Sequence, residues 1–204
     1  MTMLTPEEMQ KARSPKELME YFWSTYDGVT PEERQLARLK KGLWKNFFHE
    51  LSVLNIFANW KFPNNDVMVE YIIGNQGYDA KISNASYVEH VEITFPSLGE
   101  REKQEANEIN LKGYSFVKHD HDELIRRFLS TADRKSQKDY IYPASSLLFA
   151  LDMFLLPDTD INRIANTFAE TLRKFQFKVK SVYLVLINTN QPDINKKVLV
   201  VSQS

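Results

Sequence analysis

The chain has 204 residues, 43% of them apolar, which supports one packed α/β domain and argues against wholesale disorder. A formal net charge of −1 leaves no global basic field for nucleic acid, so any such contact must come from a local patch. The absence of cysteine excludes disulfides, thiolate metal sites and a cysteine nucleophile, and no apolar run approaches the roughly 20 residues that span a bilayer.

The stretch Met1–Glu8 has neither a basic start nor an apolar run, so no signal peptide is expected, and a cytoplasmic setting is the default. Three helix starts follow one grammar. Thr5-Pro6-Glu7-Glu8, Ser14-Pro15-Lys16-Glu17 and Thr30-Pro31-Glu32-Glu33 each place a hydroxyl at the N-cap, proline first and Glu third. The second helix carries Leu18, Tyr21, Phe22 and Tyr26 and stops near Gly28. The third is expected to run from Pro31 toward Asn59, with a bend at Gly42, and to end before Pro63. A strand over Val67–Ile73 follows, closed by Gly74–Gly77. The polar segment from Gly99 to Glu105 reads as helix or loop. A helix capped by Asp120 or Asp122 is expected to reach about Gln137. Ser145–Leu151 suits a buried strand, with helix as the alternative. A helix over about 159–175 carries Ile161, Ile164, Ala165, Phe168, Leu172 and Phe175 on one stripe. Strands over Val182–Ile187 and Lys197–Val201 complete the chain.

The most informative stretch lies between these elements. Asp79–Ile82 and Tyr87–Thr94 read as two strands joined by the polar turn Ser83–Ser86. Alternate side chains of a strand share a face. Val91, Ile93 and Phe95 therefore fall on one face, and His90, Glu92 and Thr94 on the other. An antiparallel hairpin centred near Ala85 and Ser86 sets Asp79 across from Glu92 and Lys81 across from His90. Two carboxylates, a lysine and a histidine are then expected on one patch. The overall order predicts an α/β fold with a mixed central sheet flanked by helices: a helical N-terminal extension over 1–30, then an α/β domain over 31–204.

Helix, three-strand meander, helix, strand: this order, with Asp79 opening the second strand of the meander and Glu92 on the third, resembles the PD-(D/E)XK nuclease superfamily, the restriction-endonuclease-like fold. The resemblance spans roughly residues 31 to 187 and rests on a short motif. It implies Asp79 and Glu92 as metal ligands, and Glu50, in Phe47-Phe48-His49-Glu50-Leu51, as the helix carboxylate and a third ligand. The departure is Thr94, which stands where the family carries lysine. Lys81, two residues after Asp79 on the same strand face, is the expected replacement. The catalytic set implied is Asp79, Glu92, Lys81 and Glu50, with Mg²⁺ or Mn²⁺ as cofactor if the protein is active, and DNA as substrate.

Each residue also has a plainer reading. Glu50 lies among Leu43, Phe47, Leu54 and Phe57 and could be a salt-bridged carboxylate at the edge of an apolar stripe. Asp79 follows Gly77-Tyr78 and could be a turn aspartate. Lys81 could be half of an ordinary cross-strand pair. His49 is expected to face away from Glu50. In Lys118-His119-Asp120-His121-Asp122-Glu123 the histidines are spaced too closely to share a helix face, which favours a solvated helix start over a metal site.

Basic residues cluster three times: Arg34, Arg38, Lys40, Lys41 and Lys45; Arg134, Lys135 and Lys138 beside Tyr140 and Tyr142; and Arg173, Lys174, Lys178 and Lys180. The first group, with His90, is expected to contact nucleic acid, because one helix would carry it toward Glu50. Three functions stay open: a metal-dependent nuclease acting on DNA, a silent nuclease fold used for binding or assembly, and a small α/β interaction protein. Aromatic residues make up 12% of the chain, which suits an interface or homodimer.

Overall fold

The structure, a computed structural model, describes residues 4–74, 77–96, 100–113, 115, 121–140, 145–153, 161–188 and 193–203. The turn residues Asn75 and Gln76, the cluster residues Lys118, His119 and Asp120, and Tyr142 lie outside the described residues.

Helices α1 (Pro6–Gln10), α2 (Pro15–Asp27) and α3 (Pro31–Arg38) begin at the three predicted N-caps. Ser14 and Thr30 close full capping boxes with Glu17 and Glu33. Thr5 accepts the Glu8 amide, but the Glu8 carboxylate is drawn instead to Arg13 at 2.9 Å. Arg13 also pairs with Val69 through two backbone hydrogen bonds, 2.7 and 3.0 Å, which covers the outer edge of the sheet.

The single helix expected from Pro31 to Asn59 does not form. Backbone at Lys40 (φ 53°) and Gly42 (φ 57°) enters the left-handed region and ends α3. The chain restarts as α4 (Gly42–Lys45), widens into a π-helical turn over Asn46–Leu51, and continues as α5 (Ser52–Lys61). A π turn leaves carbonyls without their usual partners. The Ser52 hydroxyl lies 2.8 Å from both the Phe48 and His49 carbonyl oxygens, which share its one proton, and the Ser52 amide also donates to the His49 carbonyl.

Three antiparallel strands follow: β1 (Met68–Tyr71), β2 (Ala80–Ser83) and β3 (Val88–Thr94). Helices α6 (Glu100–Lys112) and α7 (His121–Ser136) lead to β4 (Ser145–Asp152), parallel to β3. Thus the polar segment after Pro96 is helical from Glu100, and 145–152 is strand. Helix α8 (Ile161–Leu172) leads to β5 (Ser181–Ile187), parallel to β4, and β6 (Val198–Gln203) returns antiparallel to it. The six strands stand in sequence order.

The strand alternation builds two cores. Val91, Ile93, Leu148, Ala150, Tyr183 and Val185 pack beneath α2, the π turn and α5. Leu147, Phe149, Leu151, Val182, Leu184 and Leu186 pack beneath α7 and α8. Met9, Leu18, Tyr21 and Phe22, from the first two helices, belong to the first core. Among the described residues, no helix is long and apolar enough to cross a membrane.

Candidate functional site

The hairpin register is the one the alternation predicts, with Lys81 opposite His90 and Ala80 opposite Val91. Beyond Ala80 the pairing changes. The Asp79 amide donates to the Val91 carbonyl at 2.8 Å, and the Asp79 side chain accepts from the Ile93 amide at 2.6 Å. Asp79 therefore brackets Glu92 from both sides, where β2 leaves β3. Its side chain satisfies an amide that the departing strand no longer reaches.

Glu92 points to the face covered by α7 and is 7% exposed. A carboxylate so buried needs partners. Lys135, near the end of α7, forms an ion pair with its Oε1, and Lys138 lies 2.8 and 2.9 Å from its two oxygens. Tyr140 closes the group, with the Lys138 ammonium 5.0 Å from its ring centre. Burial, followed by the charge of Glu92, raises the Tyr140 hydroxyl above its ordinary range, so it stays protonated.

Glu50 approaches from the other face of the sheet. The π turn places its carboxylate against the Tyr71 hydroxyl, which donates to it and accepts from Asn46 Nδ2 at 2.8 Å. Lys45 lies 4.0 Å away. Asp79 sits within the electrostatic reach of both other acids. Burial pushes its carboxyl up to about 6, helped by Glu50 and Glu92 and opposed by the Ile93 amide and Lys135.

His90 packs against Tyr78 with ring centres 4.5 Å apart and the ring planes tilted by 56°. Burial and the neighbouring Lys81 depress its pKa, which favours neutral imidazole. Among the described residues, no group of three or more His, Asp or Glu side chains is arranged to hold a metal ion. Glu50 is thus held by Tyr71 rather than assembled with Asp79 and Glu92 into a three-ligand cage.

Several positions differ from expectation. Arg34, Arg38 and Lys41 do not lie on one helix with Glu50, because the left-handed residues at 40 and 42 separate them; Lys45 alone of the group stays on the helical run that carries Glu50. Lys135 and Lys138, read from sequence as part of a basic patch, are partners of Glu92. The largest omission is Glu89. It is 3% exposed and shares the strand face of Val91 and Ile93. It bonds to the Tyr87 and Ser146 hydroxyls and to Lys61 at 2.7 and 2.9 Å. An acid in phase with the apolar residues of a strand was the available signal, since such a carboxylate must be paired. His49, expected to face away from Glu50 and given no role from the sequence, walls a cavity beside Phe95, with ring centres 5.5 Å apart.

No family model, curated protein or solved structure matches this chain.

Proposed function

We propose that this chain is a nuclease-like protein of the restriction-endonuclease-like architecture that hydrolyses DNA phosphodiesters with Mg²⁺ or Mn²⁺. One observation carries the reading. Asp79, at the parting of β2 and β3, lies beside Glu92, and Glu92 is gripped by Lys135 from α7. Asp79 is thus within electrostatic reach of both Glu92 and Lys135, without the lysine that Thr94 replaces. The meander followed by a helical crossover to a parallel strand is consistent with this architecture.

The donor set fits a hydrated divalent ion better than a dehydrated one. Mg²⁺ retains several waters, so the two carboxylates of Asp79 and Glu92 suffice without Glu50. When bound, such an ion acts as a Lewis acid and activates its own water. The protein's side chains do the rest. Asp79 is held in place by the Ile93 amide. Lys135 and Lys138 neutralise Glu92 and supply positive charge where an attacked phosphate gains negative charge. Lys81 and neutral His90 flank the same strand face and offer hydrogen bonds to phosphate oxygens. Glu50 acts on Asp79 through its field.

A second reading, a silent fold that binds DNA without cutting it, is favoured by one observation. Both oxygens of Glu92 already have lysine partners. Plasmid incubated with the full chain and Mg²⁺ or Mn²⁺ separates the two. Cleavage that Asp79→Asn and Glu92→Gln each reduce at least about 100-fold, the scale of losing a charge-stabilising group, supports the first. Salt-sensitive binding without cleavage supports the second. Neither cleavage nor binding at low salt overturns both.

A further inference from the structure

We propose that a cavity walled by His49 is a binding site for a nucleoside monophosphate, lying outside the Asp79–Glu92 group. Four independent features converge on it. A cavity of about 390 Å³ opens at the carboxyl ends of the parallel strands β3 and β4, lined by Phe95, Pro96 and Asp152. That end of a parallel pair is where open α/β sheets place ligands. A neighbouring cavity of about 210 Å³ shares Arg38 and His49 with it. The π turn carries His49 into both walls, and such turns are rare and concentrate at functional sites. Two non-glycine residues in the left-handed region line the same space, Lys40 (φ 53°) in the larger cavity and Asn188 (φ 52°) in the smaller. Strained backbone of this kind persists where surrounding structure holds it, commonly at ligand sites.

The charges select the ligand class. Arg34 and Arg38 stand one turn apart on α3, and neither forms an ion pair with a carboxylate among the described residues. Among the described residues Arg38 donates to the Asn110 side chain at 3.0 Å, and Arg34 lies over the Tyr26 ring at 5.1 Å. Paired guanidinium groups at a cavity mouth suit a phosphate, which they can grip bidentately. Three acids also line the larger cavity: Glu102, which pairs with Lys40, Glu105, and Asp152, which accepts from Asn188 at 2.9 Å. These acids repel a polyanionic strand, and the lone pairs their present partners leave over accept hydrogen bonds from amino groups of a base. Phe95, Ile109 and the His49 ring form the apolar flank for a flat ring. His49 suits such a flank, since burial first, then Lys40, depresses its pKa to about 4 and keeps it neutral. Guanidinium groups for one phosphate, an apolar flank for a planar body and carboxylate acceptors for its amino groups describe a mononucleotide.

The proposal does not depend on the nuclease reading. Isothermal titration of the full chain with AMP, GMP, CMP and UMP, and with adenosine and inorganic phosphate as controls, tests it. Saturable binding of at least one mononucleotide is expected, at least 10-fold tighter than inorganic phosphate. Arg34→Gln/Arg38→Gln is expected to weaken it at least 10-fold with little change in thermal midpoint, since neither guanidinium belongs to a buried ion pair among the described residues and Arg38 is exposed. Asp79→Asn, which tests the nuclease site, should leave this binding unchanged. No saturation by any mononucleotide at millimolar concentration, equal binding in the double variant, or phosphate binding as tightly as the nucleotides would overturn the proposal.

Discussion

Asp79 and His49 show how single side chains set the response of this protein to pH. Asp79 titrates near 6 in the fold against an ordinary value of 3.8. The folded state therefore binds more protons than the unfolded one between about pH 4 and 6, and this group's contribution to stability falls as pH rises through that window. His49 is shifted the other way, from 6.5 to about 4. The unfolded state binds more protons there, so its contribution is lost as pH falls from about 6.5 to 4. The two slopes oppose each other in the wild type. Asp79→Asn retains an acceptor for the Ile93 amide and should leave the His49 slope exposed, with stability dropping more steeply on acidification. His49→Gln should tilt the profile the opposite way. Each change should amount to about 2 kcal/mol across the window, read from urea denaturation between pH 4 and 7. Parallel profiles in both variants would refute this assignment.

Glu89 illustrates a second residue-scale point. Its carboxylate is buried with Lys61, Tyr87 and Ser146 around it. Removing the partner of such a group leaves an uncompensated buried charge. Lys61→Met is therefore expected to destabilise the fold by roughly 3 kcal/mol, whereas Lys61→Met/Glu89→Gln should recover part of that loss. Chemical denaturation of both variants measures the difference.

At the scale of elements, the break between α3 and α4 is the decisive feature. A continuous helix would carry Arg34, Arg38 and Lys45 along one rod toward Glu50. The left-handed backbone at Lys40 and Gly42 instead turns α3 aside, so that Arg34 and Arg38 face the His49 cavity. At Gly42 an added Cβ meets no atom within 4 Å, so any cost of a side chain comes from the backbone alone. Gly42→Ala should destabilise by about 1 kcal/mol through the left-handed strain. Gly28, by contrast, has a right-handed backbone (φ −87°), and an added Cβ meets only backbone oxygens at 3.6 and 3.7 Å, ordinary contact distances. Gly28→Ala should change stability by less than half as much. Thermal melts of the pair check the contrast.

At the scale of the whole molecule, one sheet serves two cores. Leu148 and Phe149 are adjacent on β4 yet belong to opposite layers. Loosening either layer must disturb the same strands. Phe57→Ala in the first core and Phe128→Ala in the second, both fully buried, should each cost roughly 3 to 5 kcal/mol. Both should lower a single shared transition rather than split it. Two separate transitions, followed by far-ultraviolet circular dichroism and tryptophan fluorescence, would show that the layers unfold independently.

The sequence by itself determined the local and periodic features. Hydroxyl-proline-glutamate starts gave three N-caps, because capping needs only neighbours along the chain. Alternation assigned Val91 and Ile93 to one core and Glu92 to the opposite face, because strand pleating is a property of the backbone. It also set Lys81 across from His90. Only the tertiary structure decided what depends on distant residues. That Lys135 and Lys138, 43 and 46 positions away, neutralise Glu92 could not be read from a charge run. Nor could the pairing of Glu50 with Tyr71, or the break that divides the long helix. Helical pattern records which residues are apolar, whereas the π turn and the left-handed residues answer to packing against β1 and the ends of β3 and β4. Periodicity is encoded over a few residues; the partners of buried charges are chosen by the way the layers close.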